Sequence, residues 1–246
     1  MGRVDLNGIT PSVLVSHFCG EKHMRSRCVS GVVMAGRVII PSLPLRLTAD
    51  WQREISVCLE LTPGDVEALP LARARVRWPD YAKCAQAASD WSGTLGLQGL
   101  LGACDVALMA CRGARYHHDG SLYGGFAFCN LFLGEDKGLD LHFPSVGCRI
   151  PLVRGTVVIF DTCQPHAVVK RHSAGFDAAD FPPGDDCSLV FLTWELPIEK
   201  AQVSQALGVV FDVDPSTACR LDEEQLWLNG AVAQVCPASG RWLEPG

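Results

Sequence analysis

At 246 residues and 48% hydrophobic content, the chain can bury a full core, and one domain with decorations is expected. A formal net charge of -6 argues against a nucleic-acid-binding surface, which would show basic clusters. The 12 cysteines are scattered with no Cys-x-x-Cys pair, no basic-then-apolar leader is evident, and no apolar run is long enough to span a membrane, so reduced thiols in a cytoplasm are expected.

In chain order, residues 1–30 read as irregular, with a short strand near Val13 to Val15. His17, Cys19, His23 and Cys28 invite a zinc reading. Their spacings match no finger pattern, and Glu21, Lys22, Arg25 and Arg27 lie among them, so an exposed loop is favoured. The β-branched run from Val32 to Ile40 predicts a hairpin or bent strand, with Gly36 at the bend and Pro41 and Pro44 ending it. Thr48 or Asp50 is expected to cap a helix carrying Trp51, Ile55, Cys58 and Leu59, stopped by Pro63-Gly64-Asp65. A second helical segment is expected from Asp65 towards Ala74, kinked or restarted at Pro70, and a third from Asp80 to Leu97. Their apolar stripes predict helices that cover the outside of a sheet.

From Val106 onward the pattern changes to short apolar strands: Val106 to Cys111, Gly125 to Leu133, Leu139 to Phe143, Arg149 to Val153, Gly155 to Phe160, Ala167 to Lys170 and Cys187 to Leu196. Two motifs on them carry chemistry. The first is His117-x-Asp119, in which alternation along a strand lets both side chains face one interior and prefers His117 to His118. The second is His166, placed after Pro165, where a non-donating residue is expected to end one strand and start the next. A barrel brings His166 opposite Asp119. Two imidazoles and one carboxylate on one face of a metal leave the opposite face open, which suits an iron(II) ion that must bind dioxygen and a cosubstrate together. The segment 172–186, rich in Gly, Pro and Asp, reads as a long loop in which Phe176 and Phe181 could close over a substrate as a lid. Arg115 shares parity with His117 and is a candidate for the barrel mouth. Past Glu195, a short helix from Ile198 to Leu207, a strand from Gly208 to Val213 and an Asn229-Gly230 hairpin within Leu226 to Val235 are expected.

The order of these pieces resembles the double-stranded β-helix of the iron(II)/2-oxoglutarate-dependent dioxygenases, and is most similar to their prolyl-hydroxylase-like branch. The matching run joins Val106 to Arg112, His117-x-Asp119, Phe126 to Leu133, Gly138 to Phe143, Gly155 to Asp161, Pro165-His166-Ala-Val and Ser188 to Glu195, about 90 of the 246 residues. The resemblance implies an α+β, strand-rich fold with a jelly-roll or cupin-like core and N-terminal helices packed outside. It implies that His117, Asp119 and His166 hold Fe(II). The activity it implies is hydroxylation of an unactivated C–H bond, with 2-oxoglutarate and dioxygen consumed and succinate and CO2 released. The chain then divides into support (1–104), core (105–196) and C-terminal extension (197–246) of one oxygenase domain.

The sequence departs from that family on its last core strand, which lacks the Arg or Lys that usually anchors the far carboxylate of 2-oxoglutarate; Ser188 stands there. A buried carboxylate needs a partner, and Arg112, Lys170, Arg171 and the polar Asn130 are the candidates. That gap keeps open an iron oxygenase that does not use 2-oxoglutarate, and a non-catalytic β-barrel binding module is the reading from another class. A small-molecule or peptide substrate is expected, with no nucleic acid, no membrane, and a homodimer through the C-terminal extension as one use of that extension. A His166 imidazole far from the Asp119 carboxylate, or aimed outward, overturns the enzymatic reading.

Overall fold

The computed structural model describes residues 13–182 and 184–243. The segment expected to be an exposed loop is instead a hairpin. β1 (Leu14–Cys19) pairs antiparallel with β2 (Met24–Cys28), and Ser16, His17, Phe18, Ser26 and Arg27 are all buried. His17 packs edge-on against Trp227 and faces Asp214 at 3.5 Å rather than the neighbouring cysteines. Among the described residues, His17, Cys19, His23 and Cys28 form no metal-holding group. The interleaved charges suggested solvent because nothing local shows that Arg27 has a buried partner far along the chain.

β3 (Val33–Arg37) is a single strand along the edge of the largest sheet, paired with residues 156–160. Gly36 marks no bend: a Cβ there would lie 2.2 Å from the Trp91 indole nitrogen, so the position is glycine to admit that ring. α1 (Leu45–Arg53) starts before the expected caps, after Pro44, and runs on as a wider π turn over Glu54–Cys58. The second expected helix splits. β4 (Val66–Leu69) is an edge strand, and α2 (Leu71–Arg77) begins just after Pro70. A four-residue run is too short for periodicity to separate strand from helix, and pairing with Leu108 to Cys111 decides it. α3 (Tyr81–Thr94) agrees with expectation, burying Cys84 and Ala88.

Eight strands follow: β5 (Val106–Arg112), β6 (Ala114–His117), β7 (Phe126–Phe132), β8 (Leu139–Phe143), β9 (Cys148–Pro151), β10 (Thr156–Asp161), β11 (His166–Lys170) and β12 (Ser188–Pro197). The architecture is mixed and strand-rich, with antiparallel sheets. A six-stranded sheet has the order β3-β10-β7-β12-β5-β4, and a four-stranded sheet the order β6-β11-β8-β9. One apolar cluster draws from both sheets: Phe132, Phe160 and Phe191 from the larger, Phe143, Leu141 and Val168 from the smaller. A second cluster lies on the outer face of the larger sheet, where Leu108, Leu131 and Trp194 pack with Trp51, Trp78 and Ala88 of the N-terminal helices. The alternation of each β-strand therefore feeds two cores, one between the sheets and one under the helices.

After β12 come α4 (Ala201–Leu207) and α5 (Pro215–Ala218). The strand expected over 208–213 is not formed; Phe211 makes only an isolated bridge to Arg27. β13 (Gln225–Leu228) and β14 (Ala231–Val232) form the Asn-Gly hairpin, with Asn229 and Gly230 at φ 52° and 86°. β13 pairs with β1, so the C-terminal extension adds strands to the N-terminal hairpin. β15 (Gln234–Val235) and β16 (Trp242–Leu243) form a separate pair. Among the described residues no helix is long and apolar enough to cross a membrane.

Arg27 and Asp161 join these parts. Both side chains are fully buried, and the pair is bidentate, Nη1 to Oδ2 at 2.6 Å and Nη2 to Oδ1 at 2.8 Å. Arg27 Nε donates to the Gly124 carbonyl, Nη1 also to that of Cys28, and Nη2 also to Cys163 Sγ. Asp161 accepts the backbone N–H groups of Ser30 and Cys163 as well. Such a pair is tolerable in a core only when every donor and lone pair is used in this way. Asp161→Asn is expected to leave the guanidinium charge uncompensated and to cost about 3–5 kcal/mol in urea unfolding. The double change Arg27→Met with Asp161→Leu should recover much of that loss.

Candidate metal centre

His117 ends β6 and His166 opens β11; the two are register partners across the smaller sheet, with ring centroids 4.4 Å apart. β6 stops at His117, so strand alternation does not place Asp119. A turn does. The Asp119 N–H donates to the Thr162 carbonyl at 2.8 Å, and Thr162 belongs to the link between β10 and β11. The Thr162 hydroxyl meanwhile bonds the carbonyls of Tyr123 and Phe126. Gly120 follows because a Cβ there would come within 2.7 Å of Cys163 Sγ. The link that carries Pro165 and His166 and the turn that carries Asp119 thus lie against each other. The break before His166 falls where Pro165 suggested.

Asp119 Oδ1 lies 3.7 Å from His117 Nε2, and Oδ2 lies 3.6 Å from His166 Nε2. One ligand atom from each of the three side chains falls within 4.8 Å of the others. Each imidazole is oriented by the carbonyl two residues before it: His117 Nδ1 bonds Arg115 O at 2.7 Å, and His166 Nδ1 bonds Gln164 O at 3.0 Å. A carbonyl can only accept, so each Nδ1 carries the proton and each Nε2 turns a lone pair towards Asp119. Burial, then the neighbouring His117, pushes the His166 imidazole down to about 3, which keeps it neutral at pH 7. Burial raises the Asp119 carboxyl, against the pull of His117 and His118. Two lone pairs and a carboxylate facing one another without a proton to share are an unfavourable set unless a cation stands among them. The three ligand atoms, one from each side chain, face a common point, as the donors of a single ion must. The residues present fit a divalent metal.

A cavity of about 220 Å³ opens beside the triad, walled by Met109, Phe128, Phe132, Leu141, Val168 and Phe191 among others. Of the anchor candidates, Asn130 lines it, but Arg112, Lys170 and Arg171 do not. On β5 the inward positions are Ala107, Met109 and Cys111, so Arg112 points the other way, and its Nη2 bonds the carbonyls of Phe181 and Pro182. Arg171 is bound by Asp136 and Asp140, each at 2.9 Å. Lys170 shares the strand face of His166 and Val168; its ammonium lies 4.0 Å from Cys187 Sγ and makes no ion pair among the described residues. Arg115 is turned to Asp65 and the Pro63 carbonyl instead of the mouth. His118 packs against Trp242. Phe176 and Phe181, expected to close over a substrate, do not line the cavity: Phe181 is buried in the inner core against Gly113, at the opposite end of β6 from His117, with Phe176 stacked on it. Sequence reasoning missed Glu195, Thr193 and Tyr123, which also line the cavity. The alternation Phe191, Thr193, Glu195 on a predicted strand was the available signal.

No protein-family model matches the chain, and no curated protein matches it. Among solved structures, it is similar to the viral collagen prolyl hydroxylase from Paramecium bursaria Chlorella virus-1, determined with 2OG. The TM-score is 0.39 and the identity 8%, over 67% of this chain and 94% of that one. It is also similar to a Pseudomonas putida prolyl-4-hydroxylase, at TM-score 0.36 and 18% identity, over 67% of this chain and 92% of that one. Both likenesses are distant.

His166→Ala, His117→Ala and Asp119→Ala are each expected to abolish stoichiometric binding of iron(II) or zinc(II), read by metal analysis after dialysis, while Arg171→Ala retains it. The burial of His166 also sets a pH dependence. Its folded value lies below the ordinary 6.5, so the unfolded chain binds the extra proton first. Metal-free protein should therefore lose stability as pH falls from about 6.5 towards 3, with a shallower slope in His166→Gln, measured by urea midpoints.

Proposed function

We propose that this chain is a mononuclear non-haem iron(II) oxygenase that uses 2-oxoglutarate and dioxygen to hydroxylate an unactivated C–H bond. One observation carries the reading: two imidazole Nε2 atoms and one carboxylate, already fixed in orientation, converge beside a mostly apolar cavity. The strand order supports it. β5, β12, β7 and β10 run side by side in one sheet, and β6, β11, β8 and β9 in the other, which reads as a double-stranded β-helix with the triad at one end. The twelve free cysteines support a reducing, cytoplasmic setting for a single oxygenase domain.

When bound, iron(II) would supply the redox chemistry that couples decarboxylation of the cosubstrate to hydroxylation. The chain's own contribution is positional. His117 and His166 offer neutral Nε2 donors held by Nδ1 bonds, and Asp119 supplies the single ligand charge. The apolar wall of Phe128, Phe132 and Phe191 keeps water from the reacting face. The far carboxylate of 2-oxoglutarate needs a partner, and Lys170 is the basic side chain left for it, on the ligand face of β11 with no competing carboxylate.

A second reading, an iron oxygenase that does not take 2-oxoglutarate, is favoured by one specific fact: among the described residues no Lys or Arg lines the cavity. Anaerobic addition of iron(II) and then 2-oxoglutarate separates the two. The first reading expects the weak visible charge-transfer band of a keto-acid chelate and, on admitting air, succinate. No band, with oxygen still consumed, selects the second; no iron binding at all selects a non-catalytic module. Lys170→Met should raise the 2-oxoglutarate concentration needed for the band by about tenfold or more.

A further inference from the structure

One wall of the cavity grades from charged to apolar in three rungs. Across β7 and β12 the register partners are Phe128 with Glu195, Asn130 with Thr193, and Phe132 with Phe191, and all six side chains line the cavity. On the other side of β12, Ala107 stands beside Thr193 and leaves space at the middle rung.

The middle rung lacks partners. Asn130 and Thr193 are each only 7% exposed, and Asn130 Oδ1 and Thr193 Oγ1 make no hydrogen bond among the described residues. Buried polar atoms are rarely left so, which calls for a partner from outside the chain. The outer rung lacks a counter-charge. Burial and then Asp105 push the Glu195 carboxyl upward, with no cation among the described residues acting against them. Tyr123 packs edge-on against Phe128 at 5.1 Å, and both Glu195 and Asp119 act on its phenol. A carboxylate beside two aromatic rings is a receptor for a cation. With no Lys or Arg in the lining, an anionic group at this rung would meet only repulsion.

We propose that this wall recognises the substrate, and that the substrate carries a protonated amine, seated against Glu195 beside Tyr123 and Phe128, with an adjoining polar group bonded to Asn130 and Thr193. This rests on the metal-flanked cavity being the substrate cavity, and it leaves the apolar inner rung for a cosubstrate. Recognition is a property of the wall alone, so it does not depend on metal being present.

The test is a ligand-observed NMR titration of metal-free protein with 2-phenylethylammonium, its neutral analogue 2-phenylethanol and the anion 3-phenylpropanoate. The ammonium is expected to bind about tenfold or more tighter than either. Glu195→Gln, which preserves size, should remove that preference and leave 2-phenylethanol within about twofold, and Glu195→Asp should restore part of it. Thr193→Val should leave both ligands within about twofold, because neither carries the adjoining polar group. Nα-acetyl-lysine methylamide, titrated alongside, tells a peptide-borne amine from a free one, and tighter binding of either supports the proposal and names its source. Equal affinities, tighter binding of the anion, no ammonium binding, or an unchanged preference in Glu195→Gln overturns it. Selective ammonium binding by a protein that takes up no iron would sink the oxygenase reading and leave the amine site standing; iron uptake without that selectivity does the reverse.

Discussion

The metal centre depends on a salt bridge that contains none of its ligands. Arg27 enters from the N-terminal hairpin, and Asp161 stands at the end of β10, four residues before the Pro165-His166 step. All of the guanidinium's bonding directions are used, on a carboxylate, two carbonyls and a thiol. Two of those contacts, to Gly124 and Cys163, fall on the two turns that flank the ligands. Charges are poor glue in a core, because desolvation offsets most of their attraction. Their value here is directional: a bidentate fork accepts one geometry, and that geometry holds the turn bearing Asp119 against the link bearing His166.

At the centre itself, each ligand is prepared by something cheaper than a charge. Two carbonyls select the tautomer of two imidazoles, and burial keeps His166 neutral. The cavity beyond is sparing with polarity, so the polar groups it has stand out: Asn130 and Thr193 as one cross-strand pair, Glu195 as an unmatched charge one rung outward. The candidate ligands and this polar pair thus line one and the same cavity.

Much of the core was legible because its signals are local. Leu139 to Phe143, the Asn229-Gly230 turn and the strand break at Pro165 follow from alternation, from positive-φ preference and from a missing N–H. The His117, Asp119 and His166 set was legible by residue type, yet the reason Asp119 reaches the other two was not: it is a hydrogen bond to Thr162, 43 positions on, and strand parity has no part in it. The N-terminal hairpin was misread because Arg25 and Arg27 looked solvated, and only Asp212 and Asp161 make sense of them. Val66 to Leu69 is a strand because β5 offers an edge, which no window of the sequence contains. Arg112 and Arg171 looked available for a ligand carboxylate until their partners, two loop carbonyls and two aspartates, were seen.

The pairing of β1 with β13 has a consequence for how the protein comes to life. Ser16 lies opposite Leu226, so the hairpin that carries Arg27 finds its neighbouring strand only after β13 has been made, far along the chain. Contacts this remote in sequence close slowly and late. A fragment ending before β13 would carry His117, Asp119, His166, Arg27 and Asp161, yet leave β1 without its neighbouring strand.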